Sequence, residues 1–415
     1  MDALTTPLPK DWEAVKVEDI FEIITDFSAA GSFAQQSQMV QYTNDRTNYA
    51  QLIRTTELKN GFNNTNAIYI NKEAFEFLWR VNLNSDAIIL PNIGINCGEI
   101  YYVDIKKLIH KHNALAPNAI LLRTKKANLK FLFYAFLDTW FQKQLINIIT
   151  SSAQPKFTKT DLRDLLIPLP PLNEQSTIAN ILSALDRYLC ALDALILKKE
   201  GVKKALSFEL LSQRKRLKGF NQAWQRVKVK DFGIIITGST PLTQISEYWN
   251  GTISWITPTD INDNKDIFKS ERKITQKGLN TIRMIPKNSV LVTCIASIGK
   301  NAILRVNGAC NQQINAIIPN KDFNADFIYY LMENNKQYLL GKAGVTATYI
   351  ISKQVFEEID FFVPKDLNEQ IAIANILSAL DNEIASLKNK KRQFENIKKA
   401  LNHDLMSAKI RVLEK

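Results

Sequence analysis

The sequence predicts an α+β protein built by tandem duplication, in which two globular mixed β/α regions are each followed by a long helix. Three observations carry this reading. Leu-Asn-Glu-Gln at Leu172 recurs at Leu367, an offset of 195, and the match runs without a gap through residues 179–186 against 374–381 and on to Lys203-Lys204-Ala205-Leu206 against Lys398-Lys399-Ala400-Leu401. A second repeat links Trp12 to Trp224 at an offset of 212, with Val15-Lys16-Val17 answered by Val227-Lys228-Val229. Before each helix, short β-branched runs are bounded by Gly, Asn, Asp and Pro, the pattern of strands and turns. Internal repeats fix architecture ahead of any local reading. Since 212 minus 195 is 17, the second globular region is 17 residues shorter than the first.

In the first region the runs at 67–70, 87–90, 100–103 and 119–123 read as strands, and 129–149 as a single helix before the closing strand. Gln154-Pro155-Lys156 closes the region, and Pro168-Leu169-Pro170-Pro171 halts extended chain just ahead of a helix. That helix sets Ile178, Leu182, Leu185, Leu189 and Leu192 at heptad spacing, and its second copy sets Ile373, Leu377, Leu380, Ile384 and Leu387 there. Such a seam interlocks with a partner helix as a coiled coil. Each helix spans about 40 residues, about 60 Å at the α-helical rise. Asn173 and Asn368 suit the N-cap, while Arg214, Lys215, Arg216 and Lys218 precede Gly219 at the other end of the first copy. Lys199, Lys203, Lys391 and Lys398 interrupt the seam, and the drift of a straight helix off a strict heptad passes the contact there to Val202 and Ile397. In the second region the strands are expected at 234–237, 253–257, 290–295, 302–306 and 314–318, with a single helix at 325–340; Val363-Pro364-Lys365-Asp366 lacks the proline pair of the first junction. The expected division is 1–171 for the first globular region, 172–218 for its helix, 219–366 for the second region and 367–415 for the second helix.

At 415 residues the chain exceeds one ordinary core. Lys plus Arg number 53 against 41 Asp plus Glu, a net charge of +12 and a pI near 9.3, which favours a polyanionic partner, nucleic acid before membrane. Cys97, Cys190, Cys294 and Cys310 form no CxxC pair, so neither a zinc ribbon nor a disulfide scaffold is indicated. No apolar run reaches the roughly 18 residues of a membrane helix, and the N-terminus has no basic-then-apolar leader. A cytoplasmic protein is expected.

Catalytic signatures are missing. The chain has no Asn/Asp-Pro-Pro-aromatic methyltransferase motif with a glycine-rich cofactor loop, and Gly299-Lys300 lacks the upstream glycine of a phosphate loop. Asp260 with Glu271 and Lys273 is the nearest nuclease-like set, an acid pair plus lysine able in principle to hold a divalent metal. A stand-alone metal-dependent DNA endonuclease is therefore the alternative function, and a purely protein-binding scaffold a third.

The repeats and motifs together resemble the DNA-specificity subunit of type I restriction-modification systems over nearly the whole chain. The second half carries Thr237-Gly238-Ser239-Thr240-Pro241, Tyr248-Trp249-Asn250-Gly251, Ile253-Ser254-Trp255-Ile256-Thr257-Pro258-Thr259-Asp260, Ser297-Ile298-Gly299-Lys300 and Asn311-Gln312-Gln313-Ile314-Asn315; Pro-Leu-Pro-Pro-Leu-Asn-Glu-Gln at 168–175 is the shared junction. The first half offers Leu52-Ile53-Arg54-Thr55-Thr56 and Asn92-Ile93-Gly94 in the places of Trp-Ile-Thr and Ile-Gly-Lys. The resemblance implies two target-recognition domains in pseudo-twofold arrangement, each reading one half of a bipartite double-stranded DNA target, joined by antiparallel helices that act as a spacer. It implies docking of modification (methyltransferase) subunits, two of them, and of restriction/translocase subunits. No cofactor is expected on this chain; S-adenosylmethionine, ATP and Mg belong to the partners. A pseudo-twofold reader must space its half-sites near one helical turn, about 10 bp, and a rigid helical spacer fixes that distance where a flexible linker could not.

Base edges are read by amides, Arg, Lys and short hydroxyls on protruding loops. In the second region the candidates are Thr240, Asn250, Ser254, Thr257, Thr259, Asp260, Lys300, Asn311, Gln312, Thr346 and Tyr349; in the first they are Arg54, Thr55, Lys59, Asn92, Asn96, Lys125, Ser152 and Gln154. The competing reading of each is structural, because Asn and Thr beside glycine commonly satisfy turn backbones.

Overall fold

The computed structural model describes residues 8–62, 65–262, 264–345 and 348–412. The chain divides into two compact units, Met1–Leu192 with Lys390–Lys415, and Asp193–Asn389. Each unit holds one globular head, the opening of one long helix and the closing stretch of the other.

In the first unit the strands are β1 (Glu13–Lys16), β2 (Ile23–Asp26), β3 (Ala50–Ile53), β4 (Ile68–Ile70), β5 (Ala87–Pro91), β6 (Tyr101–Val103), β7 (Asn113–Leu115), β8 (Ala119–Arg123) and β9 (Leu166–Leu169). They form an antiparallel sheet in the order β2-β8-β5-β6 and a second sheet β4-β3-β7, with β1 pairing to β9 at the head's two ends. Strand side chains alternate between faces, and both faces of the larger sheet are covered. Ile88, Leu90, Ile120 and Leu122 pack with Phe131, Phe136 and Phe141 of the helical layer, while Ala87, Ile89 and Leu121 pack with Leu52, Ile53 and Leu115 of the smaller sheet. This double burial makes the runs at 87–90 and 119–122 apolar throughout rather than alternating.

The second head repeats this plan with β10 (Trp224–Lys228), β11 (Gly233–Thr237), β12 (Trp249–Ile256), β13 (Asp266–Ile267), β14 (Lys273–Ile274), β15 (Ser289–Thr293), β16 (Asn301–Leu304), β17 (Gly308–Cys310), β18 (Ile314–Pro319), β19 (Gly344–Val345), β20 (Tyr349–Ile350) and β21 (Asp360–Pro364). The sheets are β11-β18-β15-β16-β13 and β14-β12-β17, with β10 on β21. In both heads the middle strand of the smaller sheet pairs antiparallel on one side and parallel on the other. Register equates Gln51 with Ser254, since they face Asn113 and Gly308, and Ile88 with Val290, since they face Leu122 and Ile317. The offset between halves thus falls from 212 at the tryptophans to 203 at Gln51/Ser254, 202 at Ile88/Val290 and 195 at Asn113/Gly308. The extra residues of the first head therefore lie ahead of β3, where a helix Phe33–Met39 is inserted, and between β5 and β7.

Two single helices expected from the sequence are each broken. The stretch 129–149 forms Leu129–Phe136 and Thr139–Ile148, because the Asp138 side chain accepts from the Trp140 N–H and starts a new helix. The stretch 325–340 forms Ala325–Asn334 and Lys336–Gly341, with Asn335 between them off the helical conformation.

The long helices span Leu172–Leu211 and Leu367–Met406, forty residues each. At the second junction Asp366 replaces the proline pair, accepting from the Asn368 N–H through its side chain at 2.8 Å and from the Gln370 N–H through its carbonyl at 3.2 Å. Within each unit the helices run antiparallel. In the first unit Lys398 pairs with Asp186, and the rings of Tyr188 and Phe394 lie 4.7 Å apart; in the second, Lys199 meets Glu383 at 2.8 Å, Lys388 meets Glu200 at 2.6 Å and Lys203 pairs with Asp381. The expectation for the seam lysines is thus corrected. Lys199, Lys203 and Lys398 keep the seam and reach acidic residues of the opposite helix, while Val202 and Ile397 are 45% and 51% exposed. Ile178, Leu182, Leu192, Ile373, Leu377 and Ile384 are buried, and Leu185, Leu189, Leu380 and Leu387 half-buried. Ile178 and Leu182 belong to the first head's core with Leu405 and Met406, and Ile373 and Leu377 to the second head's core with Leu210 and Leu211. Among the described residues no helix is long and apolar enough to cross a membrane.

Candidate nucleic-acid interface

In the second head β15 ends at Thr293 opposite Ile314, β11 ends at Thr237 opposite Asn315, and β12 ends at Ile256 opposite Cys310. The loops 238–241, 257–260, 294–300 and 311–313 therefore gather at one end of the sheets. A bridge from Ile295 to Ile350 brings the β19–β20 hairpin to the same end. Thr240 donates its hydroxyl to Gln312 Oε1 at 2.5 Å, Lys300 is exposed, and Tyr349 is 48% exposed while its carbonyl accepts from Ala296 N at 3.0 Å.

Thr257 and Asp260 fold the neighbouring turn. Thr257 donates both its N–H and its hydroxyl to Asp260 Oδ2 at 2.8 Å, and Asp260 Oδ1 accepts from Glu271 N at 2.8 Å; the hydroxyls of Thr257 and Thr259 lie 2.7 Å apart. Both Asp260 oxygens are thus engaged in holding backbone. Three candidates leave the set on position. Ser254 is buried in mid-strand. Asn250 stands at the opposite end of β12, holding a left-handed φ of 59° beside a bulge. Asn311 is buried, with its amide folded onto Gln313 Oε1 at 2.9 Å. Thr346 lies outside the described residues.

The first head gathers its loops in the same way, as β5 ends opposite Ala119, β2 opposite Ile120 and β3 opposite Leu115, and a bridge from Ile93 to Lys156 draws in the segment 150–156. Lys59 donates to Asn96 Oδ1 at 3.2 Å and to Glu99 Oε1 at 3.0 Å. Ser152 donates to the Gln154 carbonyl at 2.7 Å, and both are exposed. Thr55 is half-buried in the first turn of the helix Thr55–Asn60. Arg54 is committed elsewhere. Its backbone N–H and Nε donate to Glu57 Oε2 at 2.9 Å, its terminal nitrogen reaches the Asn66 carbonyl at 2.8 Å, and Glu57 is fully buried. The hydrogen bonds to Glu57 raise the guanidinium pKa further. Asn92 spends its amide on the Phe157 carbonyl at 3.0 Å. Lys125 sits beyond the far end of β8, its N–H on Glu22 Oε2 at 2.7 Å, away from the cluster.

Register shows that Arg54 and Glu57 occupy the places of Thr257 and Asp260, so one turn lock serves both heads with different side chains. The loop after β5 needs a correction. Asn92-Ile93-Gly94 is not the counterpart of Ser297-Ile298-Gly299. Gly94 N donates to Pro155 O as Ala296 N does to Tyr349 O, and Gly98 N donates to Pro91 O as Gly299 N does to Thr293 O. Glu99 and Tyr101 escaped the sequence reading, because an acidic residue is not an obvious choice for a polyanion. Tyr101 donates to Glu99 Oε2. Burial would raise the Glu99 carboxyl, yet the bonds from Tyr101 and Lys59 hold it below its usual value, while burial and the same carboxylate push the Tyr101 phenol up.

A family model described as the type I restriction modification DNA specificity domain matches residues 9–199 and 221–396. The type I restriction enzyme MjaVIII specificity subunit of Methanocaldococcus jannaschii is 25% identical over 432 residues, covering 98% of this chain and 94% of that protein. The MjaIX specificity subunit of the same organism is 35% identical over 182 residues, 42% of this chain and 41% of that protein, so this match spans less than half of the relative. The fold is similar to the crystal structure of a type I restriction-modification S subunit from M. genitalium, with a TM-score of 0.60, 15% identity and coverage of 97% and 98% of the two chains.

Proposed function

Because the chain belongs to the family of type I restriction-modification DNA specificity domains, we propose that each head reads one half of a split duplex target with the loops gathered at its sheet ends. The observation that carries this is a preserved frame with exchanged side chains. Equivalent hydrogen bonds hold equivalent loops in both heads, while the residues those loops present differ, Lys300 standing where the first head has Glu99. Reading heads that diverge on a fixed scaffold are what two different half-sites require.

The long helices set the spacing between half-sites and dock two methyltransferase subunits, with restriction/translocase subunits joining that assembly. In this reading the chain itself performs no bond-breaking step, and S-adenosylmethionine, ATP and Mg are bound by the partners. The engagement of both Asp260 oxygens by Thr257 and Glu271 weighs against the endonuclease alternative, since it commits the residue that would hold the metal.

The test is selection from randomised duplexes by the chain assembled with methyltransferase subunits, together with incubation of the chain alone with DNA and magnesium. A split sequence with a fixed gap is expected from the first and intact DNA from the second. Cutting that disappears in Asp260→Ala would overturn this reading.

A further inference from the structure

The two heads carry opposite charges at one equivalent loop position. After β5, Gly94 and Gly98 take left-handed φ values of 95° and 87°; after β15, Ala296 and Gly299 take 63° and 80°. With the paired hydrogen bonds described above, these conformations match the two turns of one loop to those of the other, the stretch between them being one residue longer in the first head (95–97 against 297–298). The pairing of Ile89 with Tyr101 and of Leu291 with Ala302 sets the register after the second turn. The residue after the second turn is Glu99 in the first head and Lys300 in the second.

Glu99 is not a loose surface carboxylate. Lys59 Nζ holds Oε1 at 3.0 Å, the Tyr101 hydroxyl holds Oε2, and Asn96 Oδ1 accepts from the same ammonium at 3.2 Å. An ionised carboxylate offers about four lone-pair sites, so each oxygen retains capacity for a further donor. The side chain is 37% exposed, and Ile95 of the same loop projects with 96% of its surface free. The result is a fixed acceptor at the rim of a loop cluster. Such a group is repelled by phosphate and by the O6 and N7 acceptors of guanine, and is matched by the exocyclic amines of cytosine and adenine in the major groove. A lysine at the same position has the reverse preference, for guanine O6/N7.

We propose that Glu99 is a specificity-determining residue that accepts a hydrogen bond from the exocyclic amine of a cytosine or adenine in its half-site, and that Lys300 fills the corresponding position of the other head as a donor to guanine. This rests on the reading of the heads as DNA readers. Lys59 and Tyr101 act as positioning residues that pre-set the carboxylate, which limits the ordering needed when DNA arrives.

The experiment is selection from randomised duplexes by the full chain assembled with methyltransferase subunits, comparing wild type with Glu99→Gln and Lys300→Glu. Wild type is expected to enrich a split motif. Glu99→Gln should lose roughly tenfold or more of the discrimination at one base of one half-site and leave the other half-site intact. Lys300→Glu should shift one base of the opposite half-site from guanine to cytosine or adenine. If Glu99→Gln enriches the wild-type motif unchanged, or weakens binding equally to all sequences, Glu99 only closes its loop and the proposal is overturned while the DNA-reading function stands. If wild type enriches no split motif, that function falls and the proposal with it.

Discussion

Glu369 accepts the indole N–H of Trp224 at 3.3 Å while Arg216 grips the same carboxylate at 2.9 and 3.3 Å, and Glu174 binds Trp12 at 3.1 Å and Arg411 at 2.8 and 3.0 Å in the same way. The glutamate of each Leu-Asn-Glu-Gln therefore ties the first tryptophan of its head to an arginine just beyond the end of the opposite long helix. The next residue completes the junction. Gln175 accepts from the Asn128 N–H and donates to the Pro170 carbonyl, and Gln370 does the same with Asn324 and Pro364. The motif fastens head to helix, which is why both residues are buried.

Removing Arg216 would leave Glu369, 1% exposed, with the Trp224 indole as its remaining side-chain partner. Breaking one side of a buried pair costs roughly 3–5 kcal/mol, and the partial exposure of Arg216 places the expected loss at the lower end. Arg216→Ala should lower the stability of the second unit by that amount in chemical denaturation. A change below about 0.5 kcal/mol, the range of ordinary surface substitutions, would show that the contact has no structural weight.

The two kinds of seam position should also separate. Leu182 is fully buried among Phe131, Tyr134 and Met406, whereas Leu185, three residues on, is half-buried. Leu182→Ala is expected to cost roughly 2–5 kcal/mol, and Leu185→Ala clearly less. Equal losses in thermal or denaturant unfolding would mean that the seam, and not the head core, dominates this stretch.

How far the sequence foretold these features depends on whether local pattern or long-range pairing decides them. The helix starts at Leu172 and Leu367 were legible because Pro and a heptad converge there, although Asn173 and Asn368, expected as N-caps, stand inside the first turn, and at the second junction Asp366 accepts from the Asn368 N–H. The strand 119–123 was legible because a buried strand needs an unbroken apolar run. The break at Asp138 was hidden, since the same residues on either side suit one helix and only its side-chain cap ends the first. Seam lysines looked like defects because their acidic partners, Glu383 for Lys199 and Asp186 for Lys398, lie far away in sequence. The matching of Gly94 to Gly299 failed for a related reason. Glycine marks a left-handed turn, but Ala296 adopts one as well, so hydrogen bonds and not residue type set that register.

The thiols should react in order of exposure. Burial pushes Cys294 up to about 12, only partly relieved by the Asn315 amide donating to its sulfur at 3.2 Å, and burial drives Cys310 up as well. Cys190 is exposed on the first long helix. The thiolate is the reactive form, so alkylation of native protein near pH 8 is expected to modify Cys190 and spare Cys294 and Cys310 until denaturant is added. Peptide mapping by mass spectrometry reads this directly, and early labelling of Cys294 would contradict its placement.

Acid should find the second unit through Asp326. Its Oδ1 meets Lys265 and Arg305 at 2.7 Å each. Burial alone would raise this carboxyl, yet the two cations more than offset that and hold it below its ordinary value of 3.8. A carboxyl depressed in the native state stabilises the fold above its unfolded value, and that contribution is lost as pH falls through the native one. At the equivalent position the first head carries Lys130 instead of a carboxylate, since Asn128 and Asn324 cap equivalent helices. Asp326→Asn should therefore unfold more readily than wild type at pH 7, with the gap narrowing as pH drops below 3.8. Unfolding curves at several pH values check this, and a gap that persists unchanged into acid would assign the loss to packing and not to charge.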